Sequence, residues 1–112
     1  MTFTVIGKER IEKLFLINIL GTLEALKNKK ITIDESEAII FTPYTFFTLE
    51  EKGVNKKIID LLQECCELED VESLCPDKLD KVIEELKQRT LALLDKYEED
   101  KMQKWVQIDD VK

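Results

Sequence analysis

Apolar residues recur at three- and four-residue intervals along most of the chain, and this spacing predicts a succession of helices. From Lys8 to Asn28, KERIEKLFLINILGTLEALKN lacks proline, and Ile11, Leu14, Phe15, Ile17, Ile19, Leu20, Leu23 and Leu26 cover more than one helical face. A helix apolar over so much of its circumference belongs at the centre of a bundle. Gly21 and Thr22 leave room for a close helix crossing, and NKKIT ends the pattern.

The next segment, TIDESEAIIFT, offers Thr32 as an N-cap and Glu35 three residues on, the arrangement in which the two side chains satisfy amides of the first turn. Pro43 disfavours helical geometry at Thr42 but suits a first turn, so TPYTFFTLEEKG reads as another short helix ending near Gly53. Tyr44, Phe46, Phe47 and Leu49 provide its bulk and are expected in or just beneath the core. Asn55 can cap a longer helix with Ile58, Ile59, Leu62, Cys65 and Cys66 in one stripe. ELEDVESLCPD is expected to form a helical turn or bend, and Pro76 then to start a helix with Leu79, Val82, Ile83, Leu86, Thr90, Leu93, Leu94 and Tyr97 on one side. WVQIDDV reads as extended and able to pair with TFTVI near the N-terminus. The expected fold is therefore mainly α, a compact helical bundle of four to five helices forming one domain over residues 1–112, with a short β pairing of the two termini.

Composition agrees with this picture. The 112 residues are 44% hydrophobic and 37% charged, with three Gly and two Pro, the balance of a helix-rich globular chain. No run reaches the ~20 apolar residues of a membrane-spanning helix. MTFTVIGKER lacks the pattern of a secretory signal, so the expected location is cytoplasmic, with no membrane partner. Three cysteines, two of them adjacent, do not suggest an extracellular disulfide framework.

Charge adds an asymmetry. The net charge is −7; residues 1–56 carry eight basic and eight acidic side chains, and residues 57–112 carry nine and sixteen. Between Lys57 and Lys78, Asp60, Glu64, Glu67, Glu69, Asp70, Glu72 and Asp77 follow one another with no basic residue among them. Such a surface repels phosphate, which argues against nucleic acid as a partner. Asp60, Glu64, Glu67, Glu69, Asp70 and Glu72 are the candidate residues for docking a protein with a basic surface.

Few catalytic chemistries fit this sequence. There is no histidine, which excludes histidine-dependent triads, zincins and proton shuttles. Gly7, Gly21 and Gly53 are too scattered for a phosphate-cradling loop, and neither Ser36 nor Ser73 sits in a nucleophile elbow. Adjacent Cys65 and Cys66, followed only by Cys75, lack the spacing of a zinc or redox site and read as packing residues, with the burial of Cys75 left open. ELEDVESL lacks the alternating ligands and turn glycine of a calcium loop. The expectation is a protein without catalytic activity or cofactor.

ALKNKKITIDESEAIIFTPYTFFTLEEKGV followed by ELEDVESLCPDKLDKVIEEL resembles a family of small uncharacterised proteins from Firmicutes, over roughly residues 8 to 95. The resemblance implies a bacterial, single-domain, mainly helical protein and supplies no functional residue. Two functions follow as expectations: a noncatalytic protein-binding module engaging a basic partner, of which a toxin-neutralising immunity protein is one concrete form, or a structural homo-oligomer whose seam is an exposed part of the Leu79–Tyr97 stripe.

Overall fold

The computed structural model describes residues 3–5, 7–101 and 105–108. Four helices have nine residues or more: α1 (Lys8–Lys27), α3 (Pro43–Glu51), α4 (Lys56–Cys66) and α6 (Leu79–Leu94). Two have seven each, α2 (Ile33–Ile39) and α5 (Leu68–Leu74). Two three-residue strands, β1 (Phe3–Val5) and β2 (Val106–Ile108), pair antiparallel with Thr4 opposite Gln107. The outer residues of the two segments expected to pair, Thr2, Ile6 and 109–111, lie outside the described residues.

Local chemistry accounts for the helix ends. Thr32 Oγ1 accepts the Glu35 amide at 3.1 Å, the first half of the expected capping box. Pro43 occupies the first turn of α3, and Asn55 Oδ1 caps α4 by accepting the Lys57 amide at 2.9 Å. At the end of α3, Gly53 has φ +74; its N–H donates to Glu50 O and that of Val54 to Leu49 O, a paired closure that needs a left-handed residue. The end of α1 closes in the same way, with Lys30 N–H donating to Ala25 O, but there the left-handed residue is Lys29, at φ +58.

One departure from expectation lies between Cys66 and Leu79. The acidic stretch is a true helix rather than a bend, because Glu67 serves as both the end of α4 and the start of α5 with near-helical dihedrals, φ −85 and ψ −4. Pro76 starts not α6 but a single 3₁₀ turn, Pro76–Lys78, which leads directly into α6 at Leu79. Proline tolerates either geometry at a first turn, since neither needs its missing N–H.

Helix α1 lies at the centre, as its broad apolar face requires. Leu16, Ile19, Leu23 and Leu26 join Ile58, Leu61, Leu62, Cys65, Ile83 and Leu86 in one contiguous core. Lys27 Nζ meets Glu84 at 2.6 Å and Lys87 Nζ meets Glu24 at 2.7 Å, so α1 and α6 run antiparallel. The α6 stripe is consumed by this packing: Ile83, Leu86 and Thr90 are buried, and Leu79, Val82, Leu93, Leu94 and Tyr97 pack against the core. The seam expected for a homodimer along this stripe is thus turned inward. Buried hydroxyls are satisfied within their own helices, Ser36 donating to Ile33 O and Thr90 to Leu86 O.

The aromatic residues of α3 also depart from expectation. Phe46 is buried, whereas Tyr44 is 76% and Phe47 58% exposed. A nine-residue helix at the rim of a bundle presents one face inward, and Phe46 and Leu49, three residues apart, occupy it. Tyr44 and Phe47 are rotated away from that face and meet solvent.

Candidate functional site

The acidic segment is anchored from below by Leu61, Leu62, Cys65 and Leu68, all buried, which forces the intervening carboxylates outward. Of the six residues singled out from the sequence, two have cations beside them. Asp60 lies 3.4 Å from Lys56 Nζ, one turn earlier on α4, and Glu64 pairs with Arg89 of α6. Sequence distance hid the second pair, since Arg89 is 25 residues away. Glu67, Glu69, Asp70 and Glu72 are exposed and form no salt bridge among the described residues. Glu69 and Asp70 sit in the first turn of α5, where the helix dipole favours negative charge.

Packing of α2 against α5 enlarges this anionic surface with residues that the sequence did not single out. Glu37 faces Glu69, and its carboxyl is held above its ordinary pKa by partial burial, by contact with the Glu69 carboxyl and by the charge of Asp34. Across the same junction Glu35, Glu72 and Asp80 line a groove of about 370 Å³, with Lys29 and Lys30 also in its wall. The only trace of this in the sequence is that DESE and ELEDVE are both acidic; nothing local brings them together.

Two of the three thiols are packing residues, Cys65 within the core and Cys66 against it. Burial pushes the Cys65 thiol far up, with the neighbouring Cys66 adding to the effect, while Cys66 is pushed up to about 11 by burial and then by Glu37 and Glu67. A thiolate is disfavoured at both, so neither is prepared as a nucleophile. Cys75 is exposed. Among the described residues, no cluster of His, Cys, Asp or Glu has the geometry to hold a metal ion.

A polar cleft of about 470 Å³ lies between the start of α1 and the segment that follows α6. Its anchor is Glu12, only 5% exposed, whose carboxyl oxygens accept from Tyr97 Oη at 2.9 Å and from the Asn55 amide at 2.7 Å. Burial and the contact with Glu12 push the Tyr97 hydroxyl up to about 12, so it remains a proton donor to that carboxyl. Arg10 pairs with Asp100 at 2.5 Å, Lys13 Nζ donates to Glu98 O at 3.0 Å, and Lys13 lies 5.8 Å from the Trp105 ring centre. These contacts form a clamp holding the post-α6 segment to α1, with the polar atoms of the clamp engaged by one another.

The last feature is apolar. Phe15 and Asn18 of α1, Ile39 and Ile40 at the end of α2, and Tyr44 and Thr48 of α3 line a groove of about 340 Å³ whose lining includes no charged residue. Ile39, 60% exposed, and Tyr44 stand open to solvent beside it.

The fold and these surfaces define a small, mainly helical protein with an acidic two-helix face and an apolar groove. Residues 6–107 match a family described as a protein of unknown function, DUF3969, and the chain belongs to that family. Neither a curated protein nor a solved structure matches it. None of its helices is long and apolar enough to cross a membrane, among the described residues.

Proposed function

We propose that this chain is a noncatalytic protein-binding module whose acidic α2–α5 face engages a basic protein partner. The observation that carries the reading is the placement of Glu37 against Glu69, two carboxyl groups held together with no cation beside them among the described residues. Such an arrangement is costly in the free protein, and a lysine or arginine from a partner relieves it. Glu67, Asp70 and Glu72 extend the same field, which accelerates encounter and selects a complementary surface. An immunity-type inhibitor covering a cationic toxin is one form of this function.

The test uses the immobilised chain to capture proteins from the source cell, in parallel with a Glu69→Lys/Glu72→Lys variant. A stoichiometric basic protein, associating more slowly as salt rises and lost with the variant, is the expected result. Association indifferent to both salt and charge reversal would refute the reading. The competing function, a structural homo-oligomer, predicts a light-scattering mass of twice the chain or more in the absence of any partner.

A further inference from the structure

We infer that Lys57 and Lys96 are the recognition pair of a site for a small dianion, a phosphate group, in the cavity between the start of α4 and the end of α6. The site is independent of the acidic face and lies at the opposite end of α4. Helical spacing builds it. Arg89, Ala92, Leu93 and Lys96 follow one another at three- and four-residue steps along α6 and the turn after it, and Lys57 and Asp60 do so on α4. Together these side chains line a hollow of about 250 Å³. A cleft for a drug-sized ligand holds roughly 300–1,000 Å³, so the occupant is small.

Charge gives its class. Asp60 lies 3.4 Å from Lys56 Nζ and Arg89 pairs with Glu64, so those charges are matched in place. Lys57 and Lys96 form no salt bridge among the described residues. Their ammonium groups are in contact with each other instead, and that contact, ahead of the charge of Lys57 and of burial, holds Lys96 below its ordinary pKa. The end of α6 favours one cation, and Lys96 takes that place; Lys57, in the first turn of α4, stands at the unfavourable end of its own helix dipole. A phosphate seated on the pair relieves the repulsion and accepts charge-assisted hydrogen bonds from both, and any substituent on it rests against Ala92 and Leu93. Lys96 also borders the polar cleft, but Glu9, Glu98 and Glu99 of that cleft do not line this cavity. The carboxylates of the acidic face are too distant to repel the ligand: the first of them, Glu67, follows Lys57 by about 15 Å of helix axis, beyond the ~10 Å Debye length at ~0.1 M salt.

The experiment titrates the full chain with inorganic phosphate at about pH 8, where phosphate is a dianion, holding ionic strength constant with chloride and following backbone amide NMR shifts. Saturating shifts around Lys57, Ala92, Leu93 and Lys96, half complete below about 10 mM, are expected. Lys57→Met and Lys96→Met keep an unbranched side chain without its charge and should weaken phosphate about tenfold each. Both should melt slightly above the parent chain in chloride alone, since each removes the repulsion. Lys81→Met, at an exposed position elsewhere on α6, should bind phosphate as the parent does. Phenyl phosphate and benzyl alcohol are titrated in parallel. Tighter binding of phenyl phosphate than of phosphate identifies a phosphorylated small molecule as the source, and equal binding identifies free phosphate. Benzyl alcohol binding as well as either overturns the inference, as do shifts that fail to saturate, that persist unchanged in Lys57→Met and Lys96→Met, or that weaken equally in Lys81→Met.

Discussion

Glu12 offers a direct test of how the helices are held together. Its carboxyl is the shared acceptor for the Tyr97 hydroxyl, 85 residues away, and the Asn55 amide, 43 residues away, so one side chain on α1 ties down both the start of α4 and the segment after α6. Glu12→Ala removes both acceptors. A donor deprived of its buried acceptor costs about 1–3 kcal/mol; Tyr97 and Asn55 both have some access to water, which places each toward the lower end of that range, at about 1.5 kcal/mol, and the total near 3 kcal/mol. With a urea slope of about 1.5 kcal/mol/M, the unfolding midpoint should fall by about 2 M. Glu12→Gln keeps one acceptor oxygen and should lose about half as much, and Tyr97→Phe about 1 kcal/mol. Because Glu12 and Tyr97 touch, the double variant should be less destabilised than the sum of the singles by about 1 kcal/mol. A midpoint shift below about 0.5 M for Glu12→Ala, or strict additivity in the cycle, would refute the clamp.

The Glu37–Glu69 contact makes a pH-dependent prediction. A carboxyl whose folded pKa is raised contributes stability below its unfolded value, and that contribution is lost as pH rises through the folded value. Glu37→Gln should accordingly raise the melting temperature at pH 7 and lose this advantage near pH 4; a lower melting temperature at pH 7 would contradict the sign. Thiol titration with an aromatic disulfide at pH 8 should find Cys75 reacting at once, Cys66 slowly and Cys65 only on unfolding, in keeping with their exposures; prompt reaction of two thiols in the native chain would exclude the α4 packing described. Lys29→Gly should stabilise the chain by about 0.5–1 kcal/mol in urea unfolding, because glycine relieves a left-handed backbone at greater benefit than its entropic cost; destabilisation would show that the Lys29 side chain has a compensating role. Charge on the α1–α6 surface pairs matters less: Lys87→Met, which removes the contact with Glu24, should barely move the urea midpoint, and less still in high salt; a shift as large as that of Glu12→Ala would contradict this.

Several features of the candidate surfaces could be anticipated from local pattern. The run of carboxylates without a cation between Lys57 and Lys78 reads as surface, and Glu67, Glu69, Asp70 and Glu72 are exposed because Leu61, Leu62, Cys65 and Leu68 take the inward positions at helical spacing. Asp34, Glu35 and Glu37 were passed over, since their contribution depends on α2 packing beside α5. Glu64 was counted as uncompensated because its cation arrives on α6. Tyr44 and Phe47 were assigned inward on side-chain size alone, although a helix of α3's length has room in the core for only one face.

What the amino-acid order determined by itself was therefore the local part of the molecule. The helical periods, the Thr32 and Asn55 caps, the Pro43 start and the Gly53 stop act within a turn or two of backbone, so their physics is complete within the segment that contains them. The lack of histidine likewise narrowed the chemistry without reference to any fold. Only the tertiary structure decided which carboxylates meet cations, that Glu12 joins three distant segments, and that Ile39 and Tyr44 border an open groove. Those outcomes depend on which faces of separate helices are pressed together. That choice is made by packing the whole apolar core at once, and no single stretch of sequence contains it.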